Sequence, residues 1–88
     1  MRVRNMVSTN GNEVPNQFII NDDAENQFFQ SYNTIIVKCD KYGKFYLDEN
    51  YWDYSKTTGK YRNLFLGETK SETEKKIKSG EYTLCNLN

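Results

Sequence analysis

Asp48, Glu49 and Asp53 put three carboxylates within six residues, and paired carboxylates are the equipment of general acid–base catalysis. Adjacent Asp48 and Glu49 in a strand point to opposite faces, however. The spacing also lacks the alternating Asp/Asn, central glycine and closing glutamate of a calcium loop. A solvated polar corner is therefore expected. Thr57-Thr58-Gly59-Lys60 places a glycine and a lysine where backbone N–H groups can hold an anion, but the two-glycine phosphate-loop spacing is missing. A helix-starting turn is expected there. The chain has no histidine, which removes histidine-based acid–base work and nearly all zinc sites. Cys39 and Cys85 are its only cysteines, too few for a disulfide scaffold. They read as small apolar residues in strands, a single disulfide being the minor alternative. No catalytic residue, metal or cofactor is expected.

The segment from Tyr51 to Arg62 carries more. It sets Tyr51, Trp52, Tyr54 and Tyr61 among Lys56, Lys60 and Arg62. Aromatic faces between cations suit single-stranded nucleic acid, where bases stack and phosphates pair. The same residues suit a protein interface, and Trp52 and Tyr61 also suit the wide part of a small core. Twelve basic against twelve acidic side chains leave no net charge, which favours a protein partner over nucleic acid. Tyr51, Tyr54, Lys56, Lys60 and Arg62 are the expected partner-binding residues, with Arg62 exposed as the likeliest anchor and Trp52 and Phe65 in the core.

These residues must be held by a small scaffold. Eighty-eight residues allow one domain with a modest core. Residues 1–16 are polar, aperiodic and interrupted by Gly11 and Pro15, so a flexible arm is expected before a single domain over 17–88. Phe18-Ile19-Ile20, Gln27 to Tyr32 and Thr34 to Cys39 read as strands. Asp40-Lys41-Tyr42-Gly43 reads as a tight turn, with Gly43 free to take positive φ, and Lys44 to Leu47 returns antiparallel.

From Thr58 the period becomes helical. Tyr61, Leu64 and Phe65 fall on one stripe, Gly67 stands at the C-cap, and Thr57 or Thr58 is the expected N-cap. Ser71 and Glu74 match a capping box for a second helix closed by Gly80. Glu81 to Leu87 alternates as a last strand, with Tyr82 and Leu84 on one face. The expected class is α+β: a small antiparallel sheet of four to five strands with two short helices packed on one face.

No apolar run approaches the length of a membrane span, and the N-terminal residues lack the apolar stretch of a secretory signal. The excess of Asn, Lys, Ile, Tyr and Phe, with Ala24 the single alanine, points to an AT-rich genome.

Several stretches carry a resemblance. Phe29-Gln30-Ser31-Tyr32 with Thr34-Ile35-Ile36, Leu47 to Ser55, Thr57 to Asn63, Phe65-Leu66-Gly67-Glu68 and Lys75 to Tyr82 resemble a family of small uncharacterised proteins from phages and mobile elements of Firmicutes. The similarity runs from about Gln17 to Asn88 and implies no activity and no residue roles. It implies a setting: a cytoplasmic protein in an AT-rich phage or integrated element. By analogy with other small phage proteins, the expected function is non-enzymatic binding to a host or element-encoded protein, in the manner of inhibitors of host defence nucleases. A nucleic-acid-binding module using residues 51–62 is the alternative, and no membrane partner is expected.

Overall fold

The computed structural model describes all 88 residues. Strands β1 (Arg2–Val7), β2 (Glu13–Asn21), β3 (Gln27–Ser31), β4 (Thr34–Cys39) and β5 (Phe45–Asp48) precede helices α1 (Lys56–Leu66) and α2 (Lys70–Ser79), and β6 (Tyr82–Cys85) follows. The six strands lie in chain order in one sheet. The first five form an antiparallel meander, and β6 pairs with β5 in parallel.

The α+β class is as expected, but the sheet has six strands and is mixed. The parallel pair follows from the connection. A parallel neighbour needs a long crossover, and α1 with α2 supplies it, returning the chain to the start of β5. The two helices do pack on one face, through Tyr61, Phe65, Leu66 and Ile77 against the core.

The expected arm is the larger correction. Residues 1–16 build β1 and the beginning of β2, and Met6 and Val14 are buried. Polar residues hid the strands because β1 is an edge, where only one side of the backbone needs a partner. A register shift between Asn5 and Val7 also breaks the alternation that would reveal a strand.

Core residues Met6, Phe29, Ile36, Val37, Leu47 and Tyr82 come from five of the six strands. The β3–β4 register shifts beside Phe29, with Val37 opposite Phe29 and Ile35 opposite Gln30. Ile36 is the extra residue, and both it and Val37 are fully buried. A bulge is what lets two consecutive side chains serve one core. The Phe29 and Phe65 rings stack at 5.8 Å, tying α1 to the sheet centre.

The Asp40–Gly43 turn is as expected. Gly43 has φ of 80° and its N–H donates to the Asp40 carbonyl at 3.0 Å. The Asp40 carboxylate also accepts from Tyr42 and Lys44 N–H groups, at 2.9 Å each.

Helix boundaries differ in detail. Ser55, not Thr57 or Thr58, caps α1 by accepting from Thr58 N–H at 3.1 Å, and Gly67 closes it in the left-handed region. The capping box of α2 pairs Thr69 with Glu72 rather than Ser71 with Glu74. The sequence TKSETE holds two overlapping boxes, and the earlier one turns Thr73 inward, where its hydroxyl bonds Glu68. Tyr82 is buried but Leu84, two residues on along the same edge strand, is exposed.

Candidate partner-binding face

The loop from Glu49 to Ser55 lies between two anchors. At its start Asp48 is fully buried. One carboxylate oxygen accepts from Leu87 N–H at 2.8 Å and Asn88 Nδ2 at 3.0 Å. The other accepts from Asn50 and Tyr51 N–H at 3.1 and 3.0 Å. Burial alone would raise its pKa, but these bonds outweigh burial and hold it below the usual value. The solvated corner expected at Asp48 is thus a buried clamp joining the loop to the C-terminal residues. Asp53 is bound as well, by Arg62 at 3.1 Å and Lys70 at 2.7 Å. Those partners outweigh its burial and lower its pKa. With the Asp48 and Asp53 carboxylates occupied in this way, the cluster offers no free acid–base pair.

Arg62 forms the second anchor, and its expected exposure is overturned. It is 1% exposed. Its Nη1 donates to the Trp52 carbonyl at 2.6 Å and to Asp53, and its Nη2 donates to Asn63 at 3.0 Å. The guanidinium stands 5.2 Å from the Trp52 ring centroid. Of the expected stripe, Tyr61 and Phe65 pack against the core but Leu64 is exposed, and Thr58, Gly59 and Arg62 are buried. A planar, weakly hydrated guanidinium stacks on an indole and satisfies a carbonyl at once, so the helix turns this cation toward the protein. Thr58 confirms that phase, its hydroxyl sharing a 2.9 Å hydrogen bond with Ser31 of β3.

The other four expected residues lie at the surface. Tyr51 and Tyr54 are 41% and 46% exposed, and their rings meet edge to face at 5.5 Å. Lys56 and Lys60 are exposed on α1 and form no ion pair. Lys60 stands over the Tyr61 ring. A depression of about 640 Å³ is lined by Asp53, Tyr54, Lys56, Lys60 and Lys70, among others, with Arg62 at its wall. Lys60 also borders a second depression of about 370 Å³, shared with Ser8, Thr9 and Asn10 of the β1–β2 turn and with Leu64.

Lys70 and the β1–β2 turn border these depressions without any sequence signal that places them there. Lys70 lies beyond the aromatic–basic stretch in sequence, and the turn was assigned to the arm. Trp52, expected in the core, is partly buried and packs against it.

Cys39 and Cys85 are free and partly buried. They pair with Phe45 and Asp48, at opposite ends of β5. No cluster of three or more His, Cys, Asp or Glu is placed to hold a metal ion. No helix is long and apolar enough to cross a membrane.

Fold and face together define a small mixed-sheet domain with a cationic, tyrosine-bearing face at the start of its first helix. The chain belongs to a family of unknown function, DUF8033, whose model matches residues 1–81. That match includes β1 and the β1–β2 turn. No curated protein and no solved structure matches the chain.

Proposed function

We propose that the chain is a non-enzymatic binding protein that docks an acidic surface of a protein partner through Tyr51, Tyr54, Lys56 and Lys60. The observation that carries this reading is the pairing of unpaired cations with exposed rings. Lys56 and Lys60 rim a depression beside the Tyr51–Tyr54 pair, and the carboxylate that lines it, Asp53, is held by Arg62 and Lys70. Tyrosines and cations around a concave surface suit an interface whose energy is concentrated in a few residues. Arg62 supports the face from beneath and is not proposed as a contact.

The setting proposed is a Firmicute phage or mobile element, with the protein working in the host cytoplasm on a host or element-encoded protein. Inhibition of a host defence nuclease is the specific role. This part rests on the resemblance and on analogy with other small phage proteins, an associational warrant.

Three exposed cations around one depression, Lys56, Lys60 and Lys70, favour nucleic acid as the second reading. The test takes two steps. Tagged protein is used to capture partners from host lysate, and the captured protein is then titrated directly. Single-stranded DNA is titrated in parallel at two salt concentrations. A saturable protein complex without DNA binding at low salt supports the first reading. DNA binding that weakens steeply with salt replaces it with the second.

A further inference from the structure

Both helices cover one face of the sheet, and no element of the chain covers the other. Cross-strand pairing puts Val3, Ile20, Phe28, Lys38, Tyr46 and Thr83 in one row across all six strands. Phe18 and Ile35, each paired with Gln30, lie in the neighbouring row. This row alternates with the buried Phe29, Val37 and Leu47, so it faces away from the helices. The placement of Lys38 Nζ 5.5 Å from the Tyr46 centroid puts those two on the same side. Val3 is 58% exposed, and Phe18, Ile20, Phe28, Ile35 and Tyr46 are all partly exposed.

An antiparallel sheet with one solvated face alternates apolar and polar residues, whereas strands buried on both faces read as continuous apolar runs. Phe18-Ile19-Ile20, Phe28-Phe29 and Ile35-Ile36-Val37 are of the second kind. We propose that this face is covered by a second copy of the chain, forming a two-fold dimer in which two sheets pack face to face.

Area and charge both allow a copy as the occupant. The six strands, about 4.8 Å apart and mostly four to six residues long at about 3.3 Å each, give the open face roughly 500 Å², close to the lower end of what one partner contributes to a stable interface. Lys38 is the only charged residue of these two rows and lies with Lys44 over Tyr46, so the like charge that two copies would set against each other is confined to one spot of an otherwise uncharged face. Nucleic acid would need cations to spare, and the two lysines here, Lys38 and Lys44, both lie over Tyr46. The dimer face is opposite to the helix face and does not depend on the function proposed above.

Sedimentation equilibrium of the full chain from about 1 to 100 µM, the range of moderate affinities, tests this. Wild type is expected at twice its 10.4 kDa mass. Ile20→Lys and Phe28→Lys, each checked for cooperative melting, are expected to sediment as monomers. Leu64→Lys, on the exposed side of α1, should remain dimeric. Should Phe28→Lys fail to melt cooperatively, Ile20→Lys and the edge variant Val3→Lys decide the matter. A wild type monomeric throughout the range overturns the proposal. So do folded face variants that dimerise like wild type, or dissociation caused by Leu64→Lys.

Discussion

Arg62 donates to the Trp52 carbonyl at 2.6 Å while its guanidinium lies 5.2 Å from the centroid of the same residue's ring. One side chain therefore holds both the backbone and the ring of the loop that carries Tyr51 and Tyr54. The position of the exposed tyrosines depends on a residue that a partner cannot reach.

Arg62→Ala should accordingly unfold the domain more readily rather than merely weaken binding. Removing the guanidinium strips the buried Trp52 carbonyl contact of its donor and the indole of its stacking partner, while Asp53 keeps Lys70, at a cost of about 1–3 kcal/mol. Thermal melting checks it: a large fall in Tm is expected, and an unchanged Tm would mean the Arg62 network adds nothing to the fold.

Acid should destabilise the protein through three carboxyls. Glu68 accepts from Lys76, Thr73 and Tyr82. Burial alone would raise its pKa, but these bonds outweigh burial and lower it from the ordinary 4.5. Asp48 and Asp53 are lowered from 3.8 in the same way. A carboxyl lower in the fold than in the unfolded chain stabilises fully above its unfolded pKa, and this is lost as pH falls through the folded value. Denaturant titrations should show stability falling below about pH 4.5, and Glu68→Gln should flatten that fall.

Alkali should act through Tyr82, whose hydroxyl donates to Glu68 at 2.7 Å. Burial, and then the Glu68 carboxylate, push its pKa up to about 12 from 10.0. A raised folded value means stability complete below pH 10 and lost as pH climbs toward 12. Tyr82→Phe should remove this component of the alkaline transition, which tyrosinate absorbance follows.

Gly43→Val should cost on the order of 1 kcal/mol or more, because a β-branched residue resists the φ of 80° found there. Space is not the obstacle, since nothing lies within 4 Å of an added Cβ. Gly43→Asn should therefore recover most of the lost stability, as asparagine tolerates the left-handed region. Equal losses in both variants would rule out φ as the cause.

What could be read from the residues depended on whether the signal was local. The Asp40–Gly43 turn and the glycine caps at Gly67 and Gly80 are set by neighbouring residues, and all three were found. β1 and the parallel pairing of β6 depend on contacts with distant parts of the chain, and neither was found. At the candidate face, Tyr51, Tyr54, Lys56 and Lys60 were placed at the surface correctly, because polar and amphipathic residues default to solvent. Arg62 was not, since the indole that holds it stands ten residues earlier, across the loop. Lys70 and the Ser8–Asn10 turn join the face only once the chain has folded back on itself.

The most direct measurement is the affinity of the captured protein for wild type, Tyr54→Ala and Lys60→Glu, each melted alongside. Both substituted side chains are exposed, so both variants should melt within about 0.5 kcal/mol of wild type. Tyr54→Ala should weaken binding by about 2 kcal/mol if the ring is a hot spot, and Lys60→Glu should weaken it at least as much by setting a carboxylate against an acidic surface. Folded variants that both bind with wild-type affinity would show that the partner docks elsewhere on the protein.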